Sequence, residues 1–265
     1  MPRQHSPTRA ELLGALTAVS IRAALVILNA GKGGIQHKAD GSPVTSADLA
    51  AEAAIRTGLT QVAPGLPIVS EEQASPERPL PRDAEYFLVD PLDGTREFIA
   101  GRDEYAVNIA LMADGAPVLG IITAPVLGLV WRGLVGRGAE RVAFTADGTC
   151  GPPERVHARS RLPDRLSVLV SRSHLDARTQ AYLEEMPKAQ TVGCGSALKF
   201  CRIADGSADL YPRLAPTRDW DVAAGHALVE AAGGRVLTPE GTPLAYGTPG
   251  RLIPGFIASA DPTKL

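Results

Sequence analysis

Tyr86-Phe87-Leu88-Val89-Asp90-Pro91-Leu92-Asp93-Gly94-Thr95 is the stretch on which the reading of this chain turns. Four consecutive apolar residues read as a strand buried in a sheet. The run ends in a carboxylate, and Pro91 has no N–H for a central ladder, so the strand is expected to stop at Asp90-Pro91. A second carboxylate follows at Asp93. Gly94 then lets the backbone approach a ligand, and Thr95 opens a short helix through Arg96-Glu97-Phe98-Ile99. Two carboxylates one turn apart offer the hard oxygen ligands by which Mg²⁺ is commonly held. The helix start at Gly94-Thr95 presents N–H groups suited to a phosphate. Coincident metal and phosphate sites are what metal-assisted phosphoryl transfer needs. The plainer reading of the same hexapeptide is an Asx turn with a helix-capping Asp.

Three other segments place carboxylates at element ends. Ile68-Val69-Ser70 is a short strand that delivers Glu71-Glu72. Trp220-Asp221 begins a helix whose Ala223-Ala224-Gly225 permit close packing. Thr45-Ser46-Ala47-Asp48 opens an Ala-rich helix to about Val62, with Thr45 and Asp48 at capping-box spacing. Singly, each is an ordinary strand end or helix start. One metal-centred site explains all four together.

The remaining elements follow from periodicity and turn chemistry. Ser6-Pro7 and Thr8 to Asn29 read as a capped amphipathic helix closed by Gly31-Lys32-Gly33-Gly34. Gln36 to Val44 is extended around an Asp40-Gly41 turn, and Ser75 to Arg82 is a Pro-rich surface loop. Tyr105 to Met112 and Val118 to Ala124 flank Asp114-Gly115 as a hairpin, and Leu129 to Val135 extends the meander. Beyond it come a strand (Ser167 to Val170), a helix (Asp176 to Glu185), a strand near Thr191-Val192 and a helix (Ser196 to Ala204). The chain closes with a strand (Ala208 to Tyr211), a helix (Asp219 to Ala232) and a strand (Arg235 to Thr238). Antiparallel strands first and α/β alternation second fit a layered α/β or α+β sandwich.

The 265 residues, 45% hydrophobic and 21% charged, are ordinary for a soluble globular protein large enough to bury a sizeable core. Net charge is −2 with no basic stripe, which argues against a nucleic-acid partner. Three cysteines (Cys150, Cys194 and Cys201) in no CxxC spacing argue against a disulfide framework or structural zinc. The apolar stretch around Val19 to Leu28 is interrupted by Arg22 and reads as too short to span a bilayer, so no transmembrane segment is expected. The expected location is cytoplasmic, with peripheral inner-membrane association left open. His5, His37, His157, His174 and His226 are scattered, and His226 reads as packed or exposed rather than as a ligand. Trp220 reads as packing beneath the site and orienting Asp221.

The segments from Gly41 to Asp48, Glu71-Glu72, Asp90 to Thr95 and Trp220-Asp221-Val222-Ala223-Ala224-Gly225 resemble, in order and spacing, the signatures of the inositol monophosphatase superfamily. Arg96-Glu97-Phe98-Ile99 resembles the Lys-Glu-Phe-Ile of its CysQ branch, the 3′(2′),5′-bisphosphate nucleotidases. Gly195 to Cys201 and Asp209-Leu210-Tyr211-Pro212-Arg213 resemble that branch too. The resemblance implies the αβαβα sandwich of the inositol monophosphatase and fructose-1,6-bisphosphatase type. Within it, residues 1–140 would form an α+β half with most of the metal ligands. Residues 141–265 would form an α/β half supplying Asp221 and substrate contacts, the two making one compact unit.

Carried over by motif, one metal is assigned to Glu71, Asp90 and the carbonyl of Leu92, and a second to Asp90, Asp93 and Asp221. The implied cofactor is Mg²⁺, two ions with a third, weaker one left open. Asp48 and Thr95, with Glu71, would activate the attacking water. The implied substrate contacts are Asp93, Gly94, Thr95, Ser196, Lys199 and Asp221. The substrate would be a small phosphate ester, most specifically adenosine 3′,5′-bisphosphate, and the chain a monomer or homodimer. Alternatives are an inositol, histidinol or fructose phosphate phosphatase, or a non-catalytic metal- or phosphate-binding regulatory module. Lys38 is read as steering the anionic substrate or as a surface lysine, and Glu72 as a supporting carboxylate or a solvated one. Ser196 and Lys199 otherwise read as a helix cap and an exposed lysine. Arg213 and Arg218 would meet a second phosphate or lie at the surface. Arg96 stands where the branch often has Lys, and its bidentate fork changes the contacts available.

Overall fold

A computed structural model describes residues 7–31, 33–73, 84–172 and 175–261. His5, Ser6, Lys32, the Pro-rich stretch over 75–82 and His174 lie outside these residues. Helix α1 (Arg9–Asn29) starts from a capping box, in which the Thr8 hydroxyl accepts from Glu11 N–H and the Glu11 carboxylate accepts from Thr8 N–H at 2.7 Å. It does not stop at Arg22, which is exposed on the polar face. The helix is therefore long and apolar enough to cross a membrane by length and composition, contrary to the sequence expectation, but half of its apolar window is buried. Leu12, Leu16, Val19, Ala23 and Ile27 lie in a core shared with α2 (Ser46–Val62) and the first sheet. Between the two helices runs a ribbon of β1 (Gln36–His37) and β2 (Pro43–Val44) around the Asp40-Gly41 turn.

The first sheet has seven strands in chain order: β3 (Ile68–Ser70), β4 (Tyr86–Asp93), β5 (Ala106–Ala113), β6 (Ala116–Ala124), β7 (Leu129–Leu134), β8 (Gly138–Ala143) and β9 (Glu154–Val156). Only β3 and β4 pair in parallel. The β5–β6 turn sits at Asp114 (φ 52°) and Gly115 (φ 76°), the doubly left-handed geometry of a tight hairpin. Along β4 the side chains alternate between two cores: Phe87 and Val89 face α1 and α2, whereas Tyr86 and Leu88 face the middle of the molecule. That alternation explains an unbroken apolar run. One expectation fails here. The strand continues through Pro91 to Asp93, because the register shifts between Asp90↔Asn108 and Asp93↔Ala106. Two residues, Pro91 and Leu92, thus oppose Val107 alone, and within this bulge the missing N–H of Pro91 costs no ladder bond.

The second sheet has the order β11 (Gln190–Cys194), β10 (Ser167–Ser171), β12 (Leu210–Arg213), β16 (Phe256–Ser259) and β14 (Arg235–Leu237). A small ribbon of β13 (Thr217–Arg218) and β15 (Leu252–Ile253) stands apart from it. The short α3 (Thr95–Ile99) follows β4 directly. Helices α5 (Leu198–Ala204) and α6 (Asp219–Ala231) fill the space between the sheets, and α4 (Ala177–Glu184) covers the outer face of the second, where Leu183 meets Val168, Val170 and Ile257. The layers are therefore αβαβα. Close approach of α6 to the first sheet depends on Gly120: a Cβ there would lie 2.1 Å from the Ala224 carbonyl oxygen.

His226 in α6 is packed inside this middle layer, its Nδ1 2.8 Å from the Tyr246 hydroxyl and its Nε2 3.8 Å from Glu230. Burial depresses its pKa to about 4. Between that value and the unfolded value of about 6.5 the unfolded chain binds the extra proton. The contribution of His226 is thus complete above pH 6.5 and is lost as pH falls toward 4, by at most about 3 kcal/mol. We expect His226→Gln to flatten the dependence of unfolding free energy on pH between 4 and 6.5, measured by urea titration. Parallel wild-type and variant curves over that range would contradict this.

Candidate active site

The carboxylates reach one cavity from separate elements. Glu71 lies one residue beyond β3 and is tied to β4 by its N–H donating to Val89 C=O at 3.1 Å. Asp90 belongs to β4, Asp93 closes the bulge, and Asp221 stands in the first turn of α6. Oxygen atoms of Glu71, Asp90 and Asp221 all lie within 4.8 Å of one another. With Leu92, Asp93, Gly94, Thr95, Ser196, Lys199 and Arg213 they line a cavity of about 320 Å³.

Each acid is oriented by a local partner. Leu92 N–H donates to Asp90 Oδ1 at 3.0 Å across the bulge. The Asp221 carboxylate accepts from the Thr217 hydroxyl and from Arg218 N–H. The Asp93 carboxylate accepts from Ala197 N–H in the turn before α5. Asp48, buried at the start of α2, receives the N–H and hydroxyl of Thr45 on Oδ2 at 2.8 and 2.6 Å. Its Oδ1 accepts from the Thr95 hydroxyl at 2.9 Å, and the same hydroxyl lies 3.1 Å from the Leu92 carbonyl.

The cluster is under-neutralised by the protein itself. Burial, then the Asp221 charge, pushes Glu71 up to about 7. Burial and Asp221 likewise lift Asp93 to about 6. Asp90, 1% exposed, is raised well above the usual carboxylate range by burial and by Glu71, Asp93 and Asp221. Crowded oxygen donors without sufficient internal cations are chemically matched to a hard divalent ion, and the donor set contains no sulfur or imidazole. Lys38 donates to Glu71 at 2.7 Å and to Glu72 at 2.8 Å, and the charges of Lys199 and Arg213 act on Asp93. Glu72 is not a solvated carboxylate: its side chain is 6% exposed.

The far wall departs from the sequence expectation in detail. The helix there begins at Leu198, not Ser196, and Ser196 adopts a left-handed backbone (φ 51°). Its hydroxyl oxygen is buried with no hydrogen-bond partner among the described residues. Lys199 is 3% exposed, donates to the carbonyls of Cys194 and Ser196 at 3.1 and 2.6 Å, and stands 5.0 Å over the Tyr211 ring. Such a site was invisible in a sequence where Lys usually means surface. Arg213 lines the cavity, whereas the Arg218 guanidinium donates to the Gly250 carbonyl. Trp220 is buried in the middle core. Thr217, missed from sequence, had a readable signal: a hydroxyl four residues before a helix-start acid.

Residues 9–261 match the inositol monophosphatase family as a whole. The chain belongs to that family. Among curated relatives, the 3′(2′),5′-bisphosphate nucleotidase CysQ of Escherichia coli (strain K12) is 44% identical over 227 residues, 85% of this chain and 88% of the relative. The CysQ of Salmonella typhimurium is 44% identical over 83% of this chain and 86% of its own. Among solved structures, CysQ from Bacteroides thetaiotaomicron, described as a bacterial member of the family, superposes with a TM-score of 0.78 at 33% identity. That alignment covers 93% of this chain and 96% of the other. An inositol monophosphatase from Zymomonas mobilis superposes with a TM-score of 0.75 at 28% identity, covering 96% and 94%. The family's layered α/β architecture and its phosphatase character are therefore those of this chain.

Proposed function

We propose that the protein is a Mg²⁺-dependent 3′(2′),5′-bisphosphate nucleotidase that hydrolyses adenosine 3′,5′-bisphosphate to AMP and phosphate. The observation that supports this reading best is the 44% identity to relatives bearing that name, over 85% of this chain. The cavity agrees with it, since one end is acidic and the other bears Lys199 and Arg213, cations suited to an anionic ligand. Glu71, Asp90 and the Leu92 carbonyl would hold one metal, and Asp90, Asp93 and Asp221 a second. Bound Mg²⁺ would supply charge neutralisation at the phosphoryl oxygens and acidify the attacking water.

The chain's own residues do the rest. Thr45 locks one oxygen of Asp48, which leaves the other to receive the Thr95 proton. The Thr95 oxygen is then free to accept from a water, so Thr95 and Asp48 orient the nucleophile and take up its proton. The backbone at Asp93, Gly94 and Thr95 borders the phosphate position, and Gly94 adopts φ 94°, which a side chain would strain. Water attacks phosphorus and gives a proton to Asp48, the bond to the ribose 3′ oxygen breaks, and that oxygen takes a proton from solvent water as Asp48 returns its own to solvent.

Phosphate release with Mg²⁺ should be compared on adenosine 3′,5′-bisphosphate, inositol 1-phosphate and fructose 1,6-bisphosphate. We expect kcat/KM to favour the nucleotide about a hundredfold or more, nearly 3 kcal/mol in transition-state binding, and chelation to abolish all turnover. Preference for either sugar phosphate would move the chain to another branch of the family.

A further inference from the structure

Glu104, which follows α3, reaches across to the turn between β11 and α5. Its Oε2 accepts from Gly195 N–H at 2.8 Å. Its Oε1 accepts from Arg172 at 2.8 Å, and the same Arg172 nitrogen donates to the Gly193 carbonyl at 3.1 Å. The carboxylate and guanidinium thus bracket Gly193 to Gly195 from one side. Backbones touch here as well: a Cβ on Gly195 would lie 2.8 Å from the Glu104 carbonyl oxygen and 2.9 Å from its Cβ.

The turn has other supports. Lys199 takes the carbonyls on either side of Gly195, those of Cys194 and Ser196, and at the far end Ala197 N–H donates to Asp93. Ser196, between the two clamps, keeps a left-handed backbone at φ 51°, a conformation of order 1–3 kcal/mol in cost that persists only where surroundings over-determine it. Ser196 lines the cavity, and its buried hydroxyl has no partner among the described residues, so a small turn shift decides whether that oxygen can meet a ligand.

We propose that Glu104, braced by Arg172, is a specificity-determining positioning residue that sets Ser196 against the nucleoside part of the substrate. The inference rests on the nucleotidase reading above. Because the Ala197 end of the turn is secured independently by Asp93, Glu104 acts on substrate binding rather than on the phosphoryl step. Neither Glu104 nor Arg172 meets the reacting atoms.

Steady-state kinetics with Mg²⁺ test this on Glu104→Ala, Arg172→Ala and Glu104→Gln. Expected for the two alanine variants is a KM for adenosine 3′,5′-bisphosphate raised tenfold or more. Their kcat should stay within about threefold, and inhibition by inorganic phosphate within about twofold of wild type. Glu104→Gln keeps one acceptor oxygen and should lie between wild type and alanine. An unchanged KM, or a kcat and phosphate affinity that fall together, overturns the proposal. If Glu104→Ala does not fold, the other two variants decide. A wild-type enzyme with no preference for the nucleotide would instead overturn the nucleotidase reading, and that is read before any variant is made.

Discussion

Asp90→Asn is expected to reduce phosphate release by on the order of 10⁴-fold, about 5.5 kcal/mol in barrier, without unfolding the protein. Asp90 stands in both proposed metal sets and is the most buried carboxylate of the cluster, hemmed in by Glu71, Asp93 and Asp221. The amide keeps the shape, and its oxygen can still accept the Leu92 N–H bond. What disappears is one negative charge, which opposes folding in the metal-free protein and attracts the cation in the loaded one. The two effects therefore separate by condition. In chelator, the variant should melt at or above the wild-type temperature. With Mg²⁺ at a hundred times its dissociation constant, wild type should gain about 2.7 kcal/mol of stability, and the variant should gain almost none. Turnover near the wild-type rate, or a melting temperature well below wild type in chelator, would remove Asp90 from the role proposed for it.

The second large effect is structural in origin. Gly120→Ala places a methyl 2.1 Å from the Ala224 carbonyl oxygen, 2.9 Å from its carbonyl carbon and 3.1 Å from its Cα. All three are backbone atoms of α6, so no side chain can swing away. The helix itself must lift from β6. Overpacking commonly costs about 1–3 kcal/mol, and a backbone obstacle puts this site at about 3 kcal/mol or more. Because α6 also presents Asp221, the displacement should weaken Mg²⁺ activation together with stability. Gly14, in α1, has nothing within 4 Å of its would-be Cβ. Gly14→Ala should therefore stabilise by about 0.5–1 kcal/mol and leave activity alone. Urea unfolding of both variants reads the contrast directly. Equal, small effects at the two positions would show that α6 does not rest on the sheet as closely as described.

Much of the architecture is local in origin and was legible as such. The capping-box spacing of Thr45 and Asp48 marks the start of α2 and Asp114-Gly115 marks the β5–β6 hairpin, whereas the cap of α1 proved to be Thr8 with Glu11. Four apolar residues before Asp90 locate the central strand. Other elements lacked a local signal. β8 and β9 are partly exposed, charge-bearing strands, and β16 is four residues long, so none shows a distinct periodicity. Pro91 misled because a proline forbids a ladder bond but not a bulge, and only the pairing with β5 shows which is present. The N-terminal helix was read to its observed end at Asn29, but its apolar length was underestimated, since Arg22 breaks a composition count and not a helix.

The carboxylates themselves were readable because each lies in a short contiguous motif at the end of an element. Those motifs carried the resemblance to the family, and the match over residues 9–261 with relatives at 44% identity establishes membership and phosphatase character. Their surroundings are of another kind. Lys199 is buried by carbonyls and the Tyr211 ring, Lys38 bridges to Glu71 and Glu72 more than thirty residues away, and Glu104 meets Gly195 across 91 positions. Which acids the chain would gather, and at which strand and helix ends, was thus determined by sequence alone. How those acids are desolvated, paired and aimed was decided only in three dimensions, because burial and hydrogen bonding depend on neighbours that the fold brings from remote parts of the chain.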